Sequence, residues 1–277
     1  GTEVQYVKPG DRVCVDPNQL CGRCGYCRDG IGHFCENIVG IGTTVNGGFA
    51  QYCAVRESQV SLLADSVSFE EGAMAEPLAC CLHGMDLCEL TPGSTVVVIG
   101  GGMIGLLMVQ LAKLSGASRV MLIEPVKAKR RMGAALGADI TVDPLCEDAA
   151  QVLAAHDITR VNAVIECAGL PSTIEQAIQL AGKKSVVMMF GLTKPEDTIR
   201  VRPFELFQKE IVLKASFINP YTQRRALELI NSGRVDVHSM ACAPVPLEEL
   251  AGILSSPERR AQGKYIVKPW ESARLAH

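Results

Sequence analysis

Residues 95–125 read TVVVIGGGMIGLLMVQLAKLSGASRVMLIEP, and the fold turns on how this stretch is parsed. Its opening run, Thr95 to Ile99, is rich in β-branched side chains and predicts a strand. A turn through Gly100, Gly102 and Gly105 follows, and then an apolar helical pattern to about Leu114. A second strand is closed by Glu124, nineteen residues after Gly105. In G-x-G-x-x-G the first glycine permits the tight turn, the second lets backbone approach a pyrophosphate, and the third lets helix lie close on sheet. The amides near Met103 and Ile104 then face phosphate, and the Glu124 carboxylate can accept hydrogen bonds from ribose hydroxyls. A carboxylate there repels a 2′-phosphate, so the expected cofactor is NAD rather than NADP. Lys127, Lys129, Arg130 and Arg131 pull the other way unless they form a solvated helix face.

Four more strand-like runs follow at Asp139–Val142, Ala163–Glu166, Ser185–Phe190 and Ile211–Ser216, with a helical pattern over Ser172–Leu180 between two of them. Six strands alternating with connecting segments predict an α/β fold with a doubly wound parallel sheet, its ligand beyond the carboxyl ends of the strands. The tips ECAG (Glu166–Gly169) and FGL (Phe190–Leu192) then point to the nicotinamide side, which makes Phe190 and Gly191 candidate cofactor contacts. Gly169 and Gly191 serve ordinary turns equally well. The uncharged run Thr95–Val109 is shorter than the roughly 20 apolar residues of a membrane span, and three consecutive glycines interrupt it.

The 277 residues are 48% hydrophobic and 21% charged, a composition that buries a core and is far from that of a disordered chain. A net charge of -3 offers no basic excess for phosphate backbones, so nucleic acid is not an expected partner. The opening GTEVQYVKPGDRV is not a signal peptide, and it does not resemble a natural start. Eight of twelve cysteines (Cys14, Cys53, Cys80, Cys81, Cys88, Cys146, Cys167, Cys242) are scattered among apolar neighbours and are expected to be small buried hydrophobes in a reducing cytoplasm.

The other four, Cys21, Cys24, Cys27 and Cys35, are spaced C-x2-C-x2-C-x7-C, with Gly22, Gly25 and Gly30 interleaved. Glycines permit the tight turns that four thiolates around one ion need, and four protein ligands leave no open position, so the reading is a structural zinc. An iron–sulfur cluster and two disulfides are the rival readings. His33, inside the loop, is expected to be solvated.

Taken together, KPGDRV, the four-cysteine loop, GGFAQYCAV, SFEEGAMAEPLACCLHG, the glycine turn, ALGAD, IECAG and GKYIVKP resemble the zinc-dependent medium-chain dehydrogenase/reductase family. The resemblance runs from Val7 to about Pro269 and is nearest to the polyol (sorbitol) dehydrogenase branch, with threonine-dehydrogenase-like enzymes close by. It implies a Rossmann cofactor domain and a GroES-like β-barrel catalytic domain. It also implies oxidation of a secondary alcohol to a ketone, with zinc as Lewis acid and NAD as hydride acceptor. In AEPL, Glu76 takes the place of a glutamate that lies beside the catalytic zinc, as ligand or as partner of its water. Lys129 matches a family lysine on the adenosine ribose.

Two departures stand out. The family's other catalytic zinc ligands, a cysteine and the histidine of a Gly-His-Glu motif, have no match here, and Cys14 and Cys53 are candidates by residue type alone. The chain is therefore expected to be a family member without its amino-terminal portion, its barrel incomplete, binding NAD and one zinc with little turnover. Where the sorbitol enzymes place an Arg-Tyr pair near substrate, this chain has SFINPYTQRR, in which Ile218 and Asn219 cannot form the same clamp. Sorbitol itself is not the expected substrate.

The expected domains are residues 1–77 (catalytic, with the zinc loop), 78–216 (cofactor) and 217–277 (return to the catalytic domain). This last part carries a helix-like QRRALELINSG and a strand-like KYIVKP. Ile211–Ile218 is expected at a two-fold interface of a homodimer or homotetramer. The expected partner is a small alcohol or ketone, with no membrane and a cytoplasmic location. Competing readings are an NAD-sensing module and a zinc-free quinone reductase.

Overall fold

A computed structural model describes residues 1–241, 244–261 and 263–270. Cys242 lies outside them. The chain divides into two units, residues 1–79 with the chain from Ile218 onward, and residues 80–217. The helix Ala75–Leu87 runs through the first boundary, because Pro77 sits in its first turn, where a missing N–H costs nothing.

The second unit is built on a six-stranded parallel sheet: β1 (Thr95–Ile99), β2 (Arg119–Ile123), β3 (Ile140–Val142), β4 (Ala163–Glu166), β5 (Val186–Met189) and β6 (Val212–Ala215), in the order 6-5-4-1-2-3. β1 and β4 are buried on both faces, which is why they read as continuous apolar runs rather than alternating ones. The intervening helices are α1 (Met103–Leu114), α2 (Lys127–Ala135), α3 (Ala149–Ala155), α4 (Pro171–Leu180) and α5 (Pro203–Lys209). α1 buries every residue from Gly105 to Ala112. On one face of the sheet, Val97, Ile99, Met121, Ile123, Val164 and Val187 pack with Leu153, Ile174, Ala177 and Ile178. A fully buried side chain of this kind contributes about 1.5–3 kcal/mol.

The register sets the position of the site. Ile99 pairs with Ile123 and with Glu166, and Glu166 with Met189, so the carboxyl ends of four central strands lie level. The order reverses between β1 and β4, and a crevice opens outside the sheet at such a switch point. Among the described residues β6 pairs only with β5, and Val212 is half exposed on it.

The first unit is held by short pieces and side-chain clamps. Val13–Val15 pairs antiparallel with Val60–Leu62, and Asn18–Gln19 with Val39–Gly40. Arg12 donates to Ala64 O (2.7 Å) and Val67 O (2.5 Å) and lies 4.5 Å over the Phe69 ring. Ser68 and Glu71 cap the turn that follows reciprocally. The helix-like QRRALELINSG forms Gln223–Asn231. KYIVKP pairs parallel to Val245–Pro246 over Val267–Lys268, with a further bridge between Lys264 and Ala241, and Lys268 bridges to Glu70 at 2.6 Å.

The expectation for the scattered cysteines needs correction. Cys14, Cys81 and Cys88 are buried and Cys80 and Cys167 partly so, but Cys53 and Cys146 are exposed. Their apolar neighbours Tyr52 and Leu145 are exposed with them, so an apolar stretch of loop does not by itself mark a buried one. Cys14 donates to Gly72 O at 3.2 Å, and burial pushes its thiol up to about 11. It is a packed thiol.

Candidate dinucleotide crevice and zinc loop

At the switch point the glycine turn takes the form its spacing predicts. Gly100 has φ +99, and a Cβ there would meet Ala168 N and Cys167 C at 3.2 Å, so this glycine lies directly on the turn after β4. Gly102 precedes α1 with open space around it. The first-turn amides of Met103 and Ile104 have no intrahelical acceptor and sit at the positive end of the helix dipole. A Cβ on Gly105 would fall well inside van der Waals contact of the Gly100 carbonyl oxygen.

Glu124 is buried, with Oε2 accepting from Gly101 N at 2.6 Å and Oε1 from Val126 N at 2.8 Å. The carboxylate is therefore fixed against the glycine turn, and each oxygen retains a lone pair for a further donor. The basic run divides. Lys127 and Arg131 are exposed and Lys129 half-buried, whereas Arg130 is no part of a solvated face. It donates to Glu124 O and Pro125 O, both at 2.6 Å, and pairs with Asp143 at 2.7 Å. That pairing was not visible in the sequence, because Asp143 lies beyond the next strand.

The Phe190 ring packs where Gly84 leaves room, since a Cβ there would be 2.7 Å from it. The ring is engaged by the helix, and the backbone of Phe190 and Gly191 forms the tip. Gly191 N donates to Glu166 O at 2.9 Å. Glu76 is half-buried in the first turn of its helix, between the buried Ala75 and Pro77.

In the first unit the four loop cysteines converge, their sulfurs all within 4.8 Å of one another. A tetrahedral zinc with bonds of about 2.3 Å requires sulfurs roughly 3.8 Å apart, and Cys21 Sγ and Cys27 Sγ are 4.0 Å apart. Backbone N–H groups of Cys24 and Cys21 donate to the sulfurs of Cys21 and Cys35 at 3.4 and 3.3 Å. Donation from the Arg23 amide, then that of Cys24, lowers the Cys21 thiol to about 6. Such donors stabilise thiolate, the form a metal requires, at Cys21 and Cys24, whereas burial pushes the Cys27 thiol up to about 12. None of the four is in a disulfide, and the donor set fits zinc. Gly22 and Gly30 take left-handed φ values of +70 and +75, while Gly25 begins a short helix instead. His33 is not solvated as expected. It is half-buried with its ring 4.3 Å from that of Phe34, and burial lowers its pKa.

Among the described residues this is the single cluster of three or more metal-ligating groups of its kind. Glu76 lies outside it.

A glycine-turn crevice on a doubly wound sheet, carried on one chain with a four-cysteine metal loop, defines a zinc-binding oxidoreductase of the nucleotide-dependent class. Comparison with known proteins names the family. The model of the zinc-binding dehydrogenase family matches residues 104–232, and that of the alcohol dehydrogenase GroES-like domain matches residues 1–65. D-arabinitol dehydrogenase 1 of Uromyces fabae is 31% identical over 97% of this chain and 78% of its own length. D-arabitol-phosphate dehydrogenase of Enterococcus avium is 34% identical over 90% and 72%. A Sinorhizobium meliloti 1021 protein, described as a zinc-binding dehydrogenase and solved bound to NADP, superposes with a TM-score of 0.93 at 38% identity, covering 97% of this chain and 80% of that one. This chain belongs to the zinc-dependent medium-chain alcohol dehydrogenase family, as the resemblance implied. No helix among the described residues is long and apolar enough to cross a membrane.

Proposed function

We propose that this protein interconverts a secondary alcohol of a sugar alcohol or related hydroxy compound and its ketone, with a nicotinamide dinucleotide seated in the crevice at the ends of β1, β2 and β4. The observation that carries the reading is the glycine turn with Glu124 locked against it by the Gly101 amide. In this reading Met103 and Ile104 N–H groups hold the pyrophosphate, Gly100, Gly102 and Gly105 let it approach, and Glu124 with Lys129 holds the adenosine ribose. The backbone of Phe190 and Gly191 borders the nicotinamide. The dinucleotide supplies the hydride acceptor. Zinc in the Cys21, Cys24, Cys27 and Cys35 loop supplies cross-linking rather than chemistry, since four thiolates fill its coordination. Glu76 is the residue proposed to face the reacting alcohol's metal.

The substrate class rests on the relatives named for arabinitol and arabitol phosphate. Ile218 and Asn219 in place of a charged clamp favour a compound other than sorbitol. For the cofactor, the fixed Glu124 charge favours NAD, while half-buried Lys129 and the NADP-bound relative support the second reading, NADP. Fluorescence titration distinguishes them. NADH is expected to bind about tenfold or more tightly than NADPH, the scale of one unfavourable charge contact near a protein surface. Glu124→Gln should narrow that gap. Equal affinities in the native chain count for the second reading, and no binding of either nucleotide overturns both.

We also place the outer edge of β6, within Ile211–Ile218, at a two-fold interface. Its unpaired edge can continue the sheet across a symmetry axis. Sedimentation at micromolar concentration should show a dimer or tetramer, and a monomer counts against it.

A further inference from the structure

Glu166 is the last residue of β4 and is fully buried, a carboxylate level with Ile99 and Met189. Its Oε1 accepts three hydrogen bonds, from Ala168 N at 2.7 Å, Gly169 N at 2.9 Å and Thr173 Oγ1 at 2.8 Å. Its backbone carbonyl accepts two more, from Phe190 N at 3.0 Å and Gly191 N at 2.9 Å. Its Oε2 meets no hydrogen-bond donor among the described residues. A Cβ on Gly191 would come within 2.8 Å of that oxygen. One residue therefore ties together the turn after β4, the first helical turn of α4 and the tip after β5. The turn it clamps is the one on which Gly100 rests, with 3.2 Å separating a Gly100 Cβ position from Ala168 N.

A carboxylate with no exposure and one unmet oxygen is costly to bury. An apolar residue would fill the same space at the end of β4 without that cost, so packing does not explain the choice. What Glu166 supplies is directional: one acceptor atom on which two successive amides and a hydroxyl converge, fixing backbone that hydrophobic contact alone would leave free to shift. The residues so fixed, Ala168, Gly169 and Thr173, form the wall against which the Phe190–Gly191 tip packs, since a Cβ on Gly191 would fall well inside van der Waals contact of Gly169 N.

We infer that Glu166 is a positioning residue of the crevice: by clamping the Ala168 and Gly169 amides it holds the wall behind Gly100 and the Phe190–Gly191 tip in register, and so sets the affinity for the dinucleotide. This rests on the crevice being the nucleotide site, as proposed above. In its absence the turn keeps its sequence but loses its anchor, and the Gly100 turn loses a fixed neighbour. The nicotinamide end of the ligand then meets a mobile wall.

The test is NADH titration by fluorescence on the native chain and on Glu166→Gln, Glu166→Ala and Thr173→Val, with thermal melting and zinc content measured on each. Glu166→Gln keeps an acceptor at the Oε1 position and is expected to bind within about threefold of native, a rescue consistent with a hydrogen-bonding rather than a charge role. Glu166→Ala leaves buried donors unmet and should weaken NADH about tenfold or more, with Thr173→Val losing roughly threefold. A purely structural role would lower the melting temperature and leave the affinity of the folded fraction unchanged. Native affinity in folded Glu166→Ala overturns the inference. Should that variant fail to fold, native affinity in Thr173→Val overturns it instead. Failure of the native chain itself to bind NADH overturns the crevice reading and this inference with it, whereas native binding with unaffected variants sinks the inference alone.

Discussion

Gly105→Ala should lose about a hundredfold or more in NADH affinity while still taking up zinc. A Cβ at this position would overlap the Gly100 carbonyl oxygen, and backbone cannot rotate away as a long side chain can. Either α1 lifts from the turn or the turn opens, and each displaces the Met103 and Ile104 amides from the Gly100–Gly102 turn. Overpacking of this kind costs about 1–3 kcal/mol, and every 1.4 kcal/mol is tenfold in affinity. The loss of the glycine-turn geometry adds to it. Gly102→Ala is the contrasting variant, because no protein atom lies within 4 Å of a Cβ there. Its fold should survive and its affinity fall only through the closer approach a pyrophosphate needs. Equal NADH binding by native protein and Gly105→Ala, measured on folded samples, would remove the glycine turn from the site.

Cys35→Ser is the second large effect. Cys35 is buried, and its sulfur accepts from the Cys21 and Asn37 amides at 3.3 and 3.4 Å. A hydroxyl in its place is a poor zinc ligand, so metal content should fall from about one per chain to near none. Structural zinc provides roughly 10 kcal/mol of binding free energy in small sites, comparable to the whole stability of a domain. The strand pairs of the first unit are two or three residues long among the described residues, so its melting transition should drop markedly or disappear. Chelation of the native protein should reproduce this. Acid should as well, and the sign follows from Cys21. Its thiol is lowered from 9.0 to about 6, so its contribution is complete above pH 9 and is lost as pH falls through about 6. No zinc in the native protein, or unchanged zinc content and full stability in Cys35→Ser, would refute the metal assignment.

Much of the second unit could be read before folding. The strands β1 to β6 fall within two residues of the runs that announced them, since β-branched buried runs and glycine turns are local signals. α4 begins one residue earlier than expected because Pro171 suits a first helical position. The four-cysteine loop was equally legible, its ligand spacing being a property of one short segment. The first unit was harder. Its strands are two or three residues long, too short for any period to show. What holds them is a set of partners far apart in sequence, such as Arg12 with Val67 and Lys268 with Glu70.

By itself the sequence determined the order of strands, the glycine turn, the acid that closes β2 and the convergence of four thiols, because each depends on neighbours within about thirty residues. Only the tertiary structure decided that Arg130 is consumed by Asp143, that Cys53 and Cys146 face solvent, and that a carboxylate reading as part of a turn, Glu166, anchors the turn behind Gly100. Burial and hydrogen-bond partnership are set by which distant segments the sheet brings level. No local pattern carries that information.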